Sequence, residues 1–377
     1  MQRQSVRVGI LLVLFVIAAF GVVWRMPQYD VVEYAFYSKA AFFPPWFHFW
    51  PREYPTLSLG VFLLPRLWPL PYRWAFAVTM AGFLAVLLWQ GGAFRSRSAW
   101  GIRLLIYLFF GAVGLFAQRY DITAAWAAYL ALLAARQGQW GRAWGFSLVG
   151  VFLKLFPVIF WPMFLIAEYR ASGRWRWDRA ALAATVTLAV IGFQIALAVP
   201  HQLSWWRYFW NRPIAIGSLP ASITVLLHSY RLGVAYGSWN VYAAGWAHRV
   251  ASGVTVLSGV IWIGLFYAQW RGRLSLDSTV LLGIGVLMLS SKVLSVQYLI
   301  WLAPFLADRR LHPFFLLSYA LNTIVYPLGF IIPGWFSFVV YLLAMRNAFL
   351  ILGLISLWRN ERLATTAQPT PMPTVSA

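Results

Sequence analysis

The chain has 377 residues and no cysteine. It therefore has no disulfide, no thiolate metal site and no redox pair. Histidine is scarce, at five, and the five are scattered, so a zinc site is not expected. Charge is the larger deficit. Only 10% of residues are charged and 62% are hydrophobic, whereas a soluble domain averages about 25% charged. So few charges cannot clothe a water-facing surface. That excludes a soluble enzyme, a disordered chain and a fibrous protein. Acids are fewest of all, nine against 30 Lys and Arg, for a net charge of +21.

What is present is long uncharged sequence from end to end, the mark of a polytopic membrane protein. The arginines sit in short runs between apolar segments, as on cytoplasmic loops, and not in a patch that would grip nucleic acid. The bilayer is the expected partner; nucleic acid is not. Arg3 and Arg7 followed by an uncharged run from Gly9 to Trp24 resemble a signal peptide. No small-x-small cleavage site follows, so this reads as an uncleaved first span with its N-terminus inside.

Spans are expected at 9–25, 74–91, 102–118, 122–136, 143–169, 180–199, 250–268, 279–290, 298–307, 314–332 and 336–357, with 57–71 ambiguous. Residues 26–56 and 200–249 are long and aromatic, as interfacial segments are. The expected fold is all-α, a polytopic bundle of about 11–13 transmembrane helices with short interfacial helices in the two long loops. One domain would cover 1–357. The Pro/Thr-rich segment 358–377 reads as a disordered cytoplasmic tail.

Six arginine runs bear on sidedness: Arg95/Arg97, Arg136/Arg142, Arg170–Arg179, Arg271/Arg273, Arg309/Arg310 and Arg359/Arg362. A simple count of spans puts the first two outside. A second count lets 57–71 dip without crossing and breaks 143–169 into two limbs near Lys154 and Pro157. All six runs then fall inside, and 26–56, Arg119–Asp121, Lys154 and 200–249 fall outside together. The second count is preferred.

The rare residues stand out against this background. Five acids, Glu168, Asp178, Asp277, Asp308 and Glu361, lie in or beside arginine-rich loops and read as solvated charges. Four acids remain: Asp30, Glu33, Glu53 and Asp121. Lysine occurs three times against 27 arginines, at Lys39, Lys154 and Lys292. Lys154 and Lys292 lie in apolar sequence, where an ionisable group normally faces a cavity or a partner. Either is alternatively a structural, paired or snorkelling lysine. Asp30 and Glu33 share a helical face; Asp30 caps a helix or acts as a general base. Arg119-Tyr120-Asp121 is a tight turn closed by its own ion pair, or part of a site. His201, Arg207 and Arg212 lie among aromatics that serve as a membrane belt or as stacking surfaces for sugars.

In order, the motifs are an acid after the first span, Glu53-Tyr54-Pro55-Thr56-Leu57, Arg119-Tyr120-Asp121, GRAWGFSLVGVFLKLFP at 141–157, NRPIAIGSLPAS at 211–222 and SKVLSVQYLIWLAP at 291–304. Across most of 20–310 this resembles glycosyltransferase family 87, the mannosyltransferase-like group of the GT-C fold. The resemblance implies a sugar, mannose in the first instance, moved from a polyprenyl-phosphate donor to a lipid or glycan hydroxyl. Transfer would occur on the extracytoplasmic side, with inversion, in a plasma membrane of bacterial type. It implies Asp30 as base, with Lys154 and Lys292 at the matching lysine positions. The chain departs from the pattern at Phe209 and Trp210, where a His is expected, and at Gly217, where an acid is expected.

The residues fit that chemistry independently. A glycosyl phosphate carries its own activated leaving group, so a site needs one base and cations for the departing phosphate. It does not need the acid–base pair of a hydrolase. Asp30 is the candidate base, supported by Glu33 and Asp121. Arg119, Lys154, Arg212, Lys292, His201 and Gln297 are the candidates for donor phosphate and substrate. No cofactor is expected; a divalent cation stays open. The absence of a Rossmann fingerprint or P-loop argues against a nucleotide sugar bound in a soluble domain. A transporter or lipid flippase is the alternative, although no internal repeat supports it. A noncatalytic subunit would leave Asp30, Lys154 and Lys292 without a purpose.

Overall fold

The computed structural model describes residues 2–25, 29–41, 51, 54–94, 99–197, 211–328 and 336–366. Its helices are α1 (Gln2–Arg25), α2 (Tyr29–Ala40), α3 (Thr56–Leu63), α4 (Tyr72–Gln90), α5 (Trp100–Ala112), α6 (Asp121–Arg136), α7 (Trp140–Leu153) and α8 (Phe160–Ser172). They continue with α9 (Trp177–Leu197), α10 (Leu219–Leu227), α11 (Trp246–Trp270), α12 (Leu276–Ser290), α13 (Leu299–Ala307), α14 (Pro313–Thr323) and α15 (Phe336–Thr366). The architecture is that of a helical, multi-pass membrane protein. Among the described residues, five helices (α1, α4, α9, α11 and α15) are long and apolar enough to cross a bilayer unaided. Five more apolar segments are shorter, so the expected 11–13 full spans are not all present as single long helices.

Helix α6 is the axis of the bundle. It is buried from Asp121 to Ala135 apart from Trp126 and Leu133, which are half-buried. A helix covered on nearly every side needs small or apolar residues all round, and seven of its sixteen positions are alanine. Small faces let backbones approach closely, and α6 packs most extensively on α7. The turn between them closes at Gly138, whose φ of +69° suits glycine. At the other extreme, α9 and α11 are almost bare. Leu188 is 68% and Ile263 71% exposed. Apolar faces of that size require lipid rather than water.

The expected break in 143–169 is present. Helix α7 stops at Leu153, Lys154 is extended, and a 3-10 turn at Phe156–Ile159 leads into α8. The Trp161 indole donates to Ser147 Oγ (3.0 Å) and the Trp144 indole to Glu168 (3.4 Å), so α7 and α8 run antiparallel as a hairpin. Pro157 cannot continue a helix. Segment 57–71 is α3 followed by a short 3-10 turn, Leu64–Leu67, too short to span.

The expected all-α class holds, with one small addition: β1 (Ile214–Ala215), β2 (Arg231–Ala235) and β3 (Ser238–Tyr242) form an antiparallel sheet in the order β1-β3-β2. Tyr236 and Gly237, both at positive φ (54° and 65°), form the hairpin turn, the backbone that matches strand twist. Among the described residues of 200–249, the segment thus holds this sheet, the short helix α10 and the start of α11. Helix α15 runs on to Thr366, nine residues past the expected boundary at 357; residues 367–377 lie outside the described residues.

Charges collect at two ends. At one, Arg136 meets Asp277 (2.9 Å) and Asp308 (2.6 Å), Arg309 pairs with Glu361, and Arg179 with Glu168. At the other lie Asp30, Arg119, Asp121 and Lys154. Asp121 opens α6 and Arg136 closes it, so about 22 Å separates the two ends at 1.5 Å per residue.

Candidate active site

Arg119 and Asp121 are two residues apart but do not pair with each other. Arg119 is extended (φ −131°, ψ 140°) at the end of a 3-10 turn, whereas Asp121 is already helical. The change of backbone sends the side chains to different partners. Arg119 Nη2 lies 2.5 Å from Asp30 Oδ2 in the first turn of α2. Lys154 Nζ donates to Asp121 Oδ1 at 2.7 Å. Of the two readings of this turn, the one with its own ion pair is not what forms; two pairs between elements form instead. Arg119 and Lys154, two of the expected phosphate cations, thus each hold a carboxylate in this structure.

Helix geometry favours the second pair. Because α6 and α7 are antiparallel, the N-terminus of α6 and the C-terminus of α7 meet. An acid at the first and a cation at the second each gain about 0.3–1 kcal/mol from the helix dipoles. The Lys154 ammonium also lies 4.9 Å from the Tyr120 ring, 5.3 Å from Trp301 and 5.6 Å from Tyr298. Tyr298 stacks on Trp301 (3.9 Å), which stacks on Phe156 (4.5 Å). This cage of rings attracts the cation through their negative faces.

Asp121 Oδ1 also accepts from the Trp301 indole at 2.6 Å. Among the described residues, Asp121 Oδ2 and Tyr120 Oη find no hydrogen-bond partner. Around the Asp30 pair stand more rings. Tyr34 stacks on Phe62 (4.3 Å) and meets Tyr54 and Tyr120 edge-on.

Glu33 lies one turn along α2 and accepts from the Tyr37 hydroxyl at 3.1 Å. Gln297 is buried in a 3-10 turn, Val296–Tyr298, beside the lysine cage. Lys292 and Arg212 lie on adjoining segments, since the Ala215 amide donates to the Lys292 carbonyl at 3.0 Å, and Lys292 precedes Tyr298 of the cage by six residues. Arg212 Nη2 reaches Ser238 Oγ at 3.4 Å. His201, Arg207 and Glu53 lie outside the described residues. No group of three or more His, Asp or Glu suited to a metal occurs among the described residues.

No family model, no curated protein and no solved structure matches this chain.

Sequence reasoning missed the aromatic wall and one charge, Arg346. Its signal was available: a lone arginine in the apolar run of α15. Gly217 acquires a physical reason. A Cβ there would lie 2.4 Å from the carbonyl oxygen of Leu294, so no acid fits at this position. Gly217→Ala is expected to destabilise the protein by about 1–3 kcal/mol, as overpacking against backbone does. Thermal unfolding in detergent checks this, and an unchanged midpoint would show that the two segments can part freely.

Proposed function

We propose that the chain is a membrane glycosyltransferase. It moves a sugar, mannose in the first instance, from a polyprenyl-phosphate donor to a lipid or glycan hydroxyl, with inversion. One observation supports this reading above the rest. The cluster contains two carboxylates of opposite accessibility: the Asp30 side chain is 27% exposed and that of Asp121 is 0%. An acceptor can reach the first but not the second. Asp30 is the base, and Asp121 is a fixed counter-charge for Lys154.

In the reaction, the Asp30 carboxylate takes the proton of the acceptor hydroxyl. The hydroxyl oxygen bonds to the anomeric carbon from the face opposite the phosphate. The bond from that carbon to the phosphate oxygen breaks, and its electron pair leaves on the phosphate. Arg119, Arg212 and Lys292 balance the charge that collects there. Arg119 has a second task. A phosphate competes with Asp30 for the guanidinium fork, so donor arrival releases the base. The arginine-rich end faces the cytoplasm under the positive-inside rule, which puts the cluster on the extracytoplasmic side.

The test is direct. Purified protein in vesicles receives radiolabelled polyprenyl-phosphate mannose and membrane lipids at the outer face. A new labelled product that depends on donor and protein is expected. Labelled donor that crosses the bilayer without forming a new bond would establish a flippase and overturn the transferase reading.

A further inference from the structure

Arg346 lies within α15, in a segment apolar enough to span the membrane, and is 1% exposed. Among the described residues no carboxylate pairs with it. Its fork donates instead to neutral oxygens: Asn322 Oδ1 (3.0 Å), Asn347 Oδ1 (3.0 and 3.2 Å) and the carbonyl of Gly217 (2.5 Å). A buried arginine without an acid is costly in a membrane segment, and apolar packing would often serve stability better. Its presence is explained by what it holds.

It holds two segments. One is 215–222, gripped through the Gly217 carbonyl and through Asn347 Nδ2, which donates to Gly217 O (3.1 Å) and Ser222 Oγ (2.9 Å). The other is 292–298, reached through Asn322 Nδ2, which donates to the Val296 carbonyl at 2.9 Å. The segments touch: the Ala215 amide donates to the Lys292 carbonyl at 3.0 Å, and Gly217 rests against Leu294. The first continues from Arg212 and the second carries Lys292. Two cations carried on touching segments oppose each other's approach, so something must hold the segments together.

We infer that Arg346 is a positioning residue whose fork registers the Arg212 segment against the Lys292 segment, so that both cations face one phosphate. This rests on the reading of Arg212 and Lys292 as phosphate ligands. Arginine is required because its acceptors lie in separate directions, which a planar fork with five donors meets and a lysine does not.

Arg346→Lys keeps the charge and loses the fork. In the full-length protein it should raise the donor KM by about 10²-fold, the scale of an ångström misplacement, with kcat nearly unchanged. In an Arg212→Met background the same change should add little, since the two act on one ligand. Equal effects in both backgrounds would overturn the inference. A second measurement needs no activity. Spin labels at Tyr242→Cys, on the strand paired with β1, and at Phe338→Cys on α15 both occupy exposed sites. They should give one narrow distance distribution, broadened by Arg346→Lys. An unchanged distribution would also overturn the inference. Broadening in a protein that transfers no sugar would retain the clamp and remove the transferase reading. Should the Arg346 variant not fold, Asn347→Ala removes the bonds to Gly217 and Ser222 and should broaden the distribution to a smaller extent.

Discussion

Asp30→Asn is expected to abolish sugar transfer while the protein still folds and inserts. The substitution preserves shape and hydrogen bonding but cannot take a proton. General base catalysis contributes about 10²–10⁴-fold, and the loss should fall in that range with donor binding retained. Folding should survive because the Asp30–Arg119 pair is partly exposed, at 27% and 22%, and exposed pairs contribute only about 0–1 kcal/mol. Initial rates at saturating donor, with thermal unfolding alongside, check both halves. Glu33→Gln should have a smaller effect, since the amide oxygen of Gln still accepts from the Tyr37 hydroxyl. If Asp30→Asn kept most of the rate while Asp121→Asn lost it, the base would be Asp121.

Lys154→Met is expected to give the largest loss of stability. It leaves the Asp121 carboxylate, wholly buried, without its cation. Removing one partner of a buried pair costs about 3–5 kcal/mol. The Trp301 bond to Asp121 remains but supplies no charge. Adding Asp121→Asn to Lys154→Met should restore most of the stability, because it removes the stranded charge. Lys154→Arg should lie between, keeping charge but crowding the cage of Tyr120, Tyr298 and Trp301. Unfolding midpoints of the two single variants and the double variant decide this. Equal losses in single and double variants would mean that the pair does not govern stability.

The comparison of sequence with structure divides along the range of the forces involved. The break at Lys154 was legible because Pro157 and a lysine in an apolar run act locally. The gathering of Asp30, Arg119, Asp121 and Lys154 followed from counting spans and asking which rare charges fall together. Their pairing was not legible. Asp30 meets Arg119 from a different helix, and the backbone change at Tyr120 separates Arg119 from the acid nearest in sequence. The hairpin was missed because β2 and β3 have five residues each and turn at Tyr236-Gly237, a weaker signal than Asn-Gly. Arg346 was missed because 27 arginines make a single one look ordinary, although rarity within a span carries the information.

Helix α6 also separates the two ends of the molecule electrically. Between Asp121 and Arg136 it carries no carboxylate, amine or imidazole, so a proton taken up at the Asp30 end finds no relay along it. The stretch is a column about 20 Å long that lacks such groups. Under the proposed reaction, a proton taken up by Asp30 is therefore expected to return to the water on the face where it was taken up.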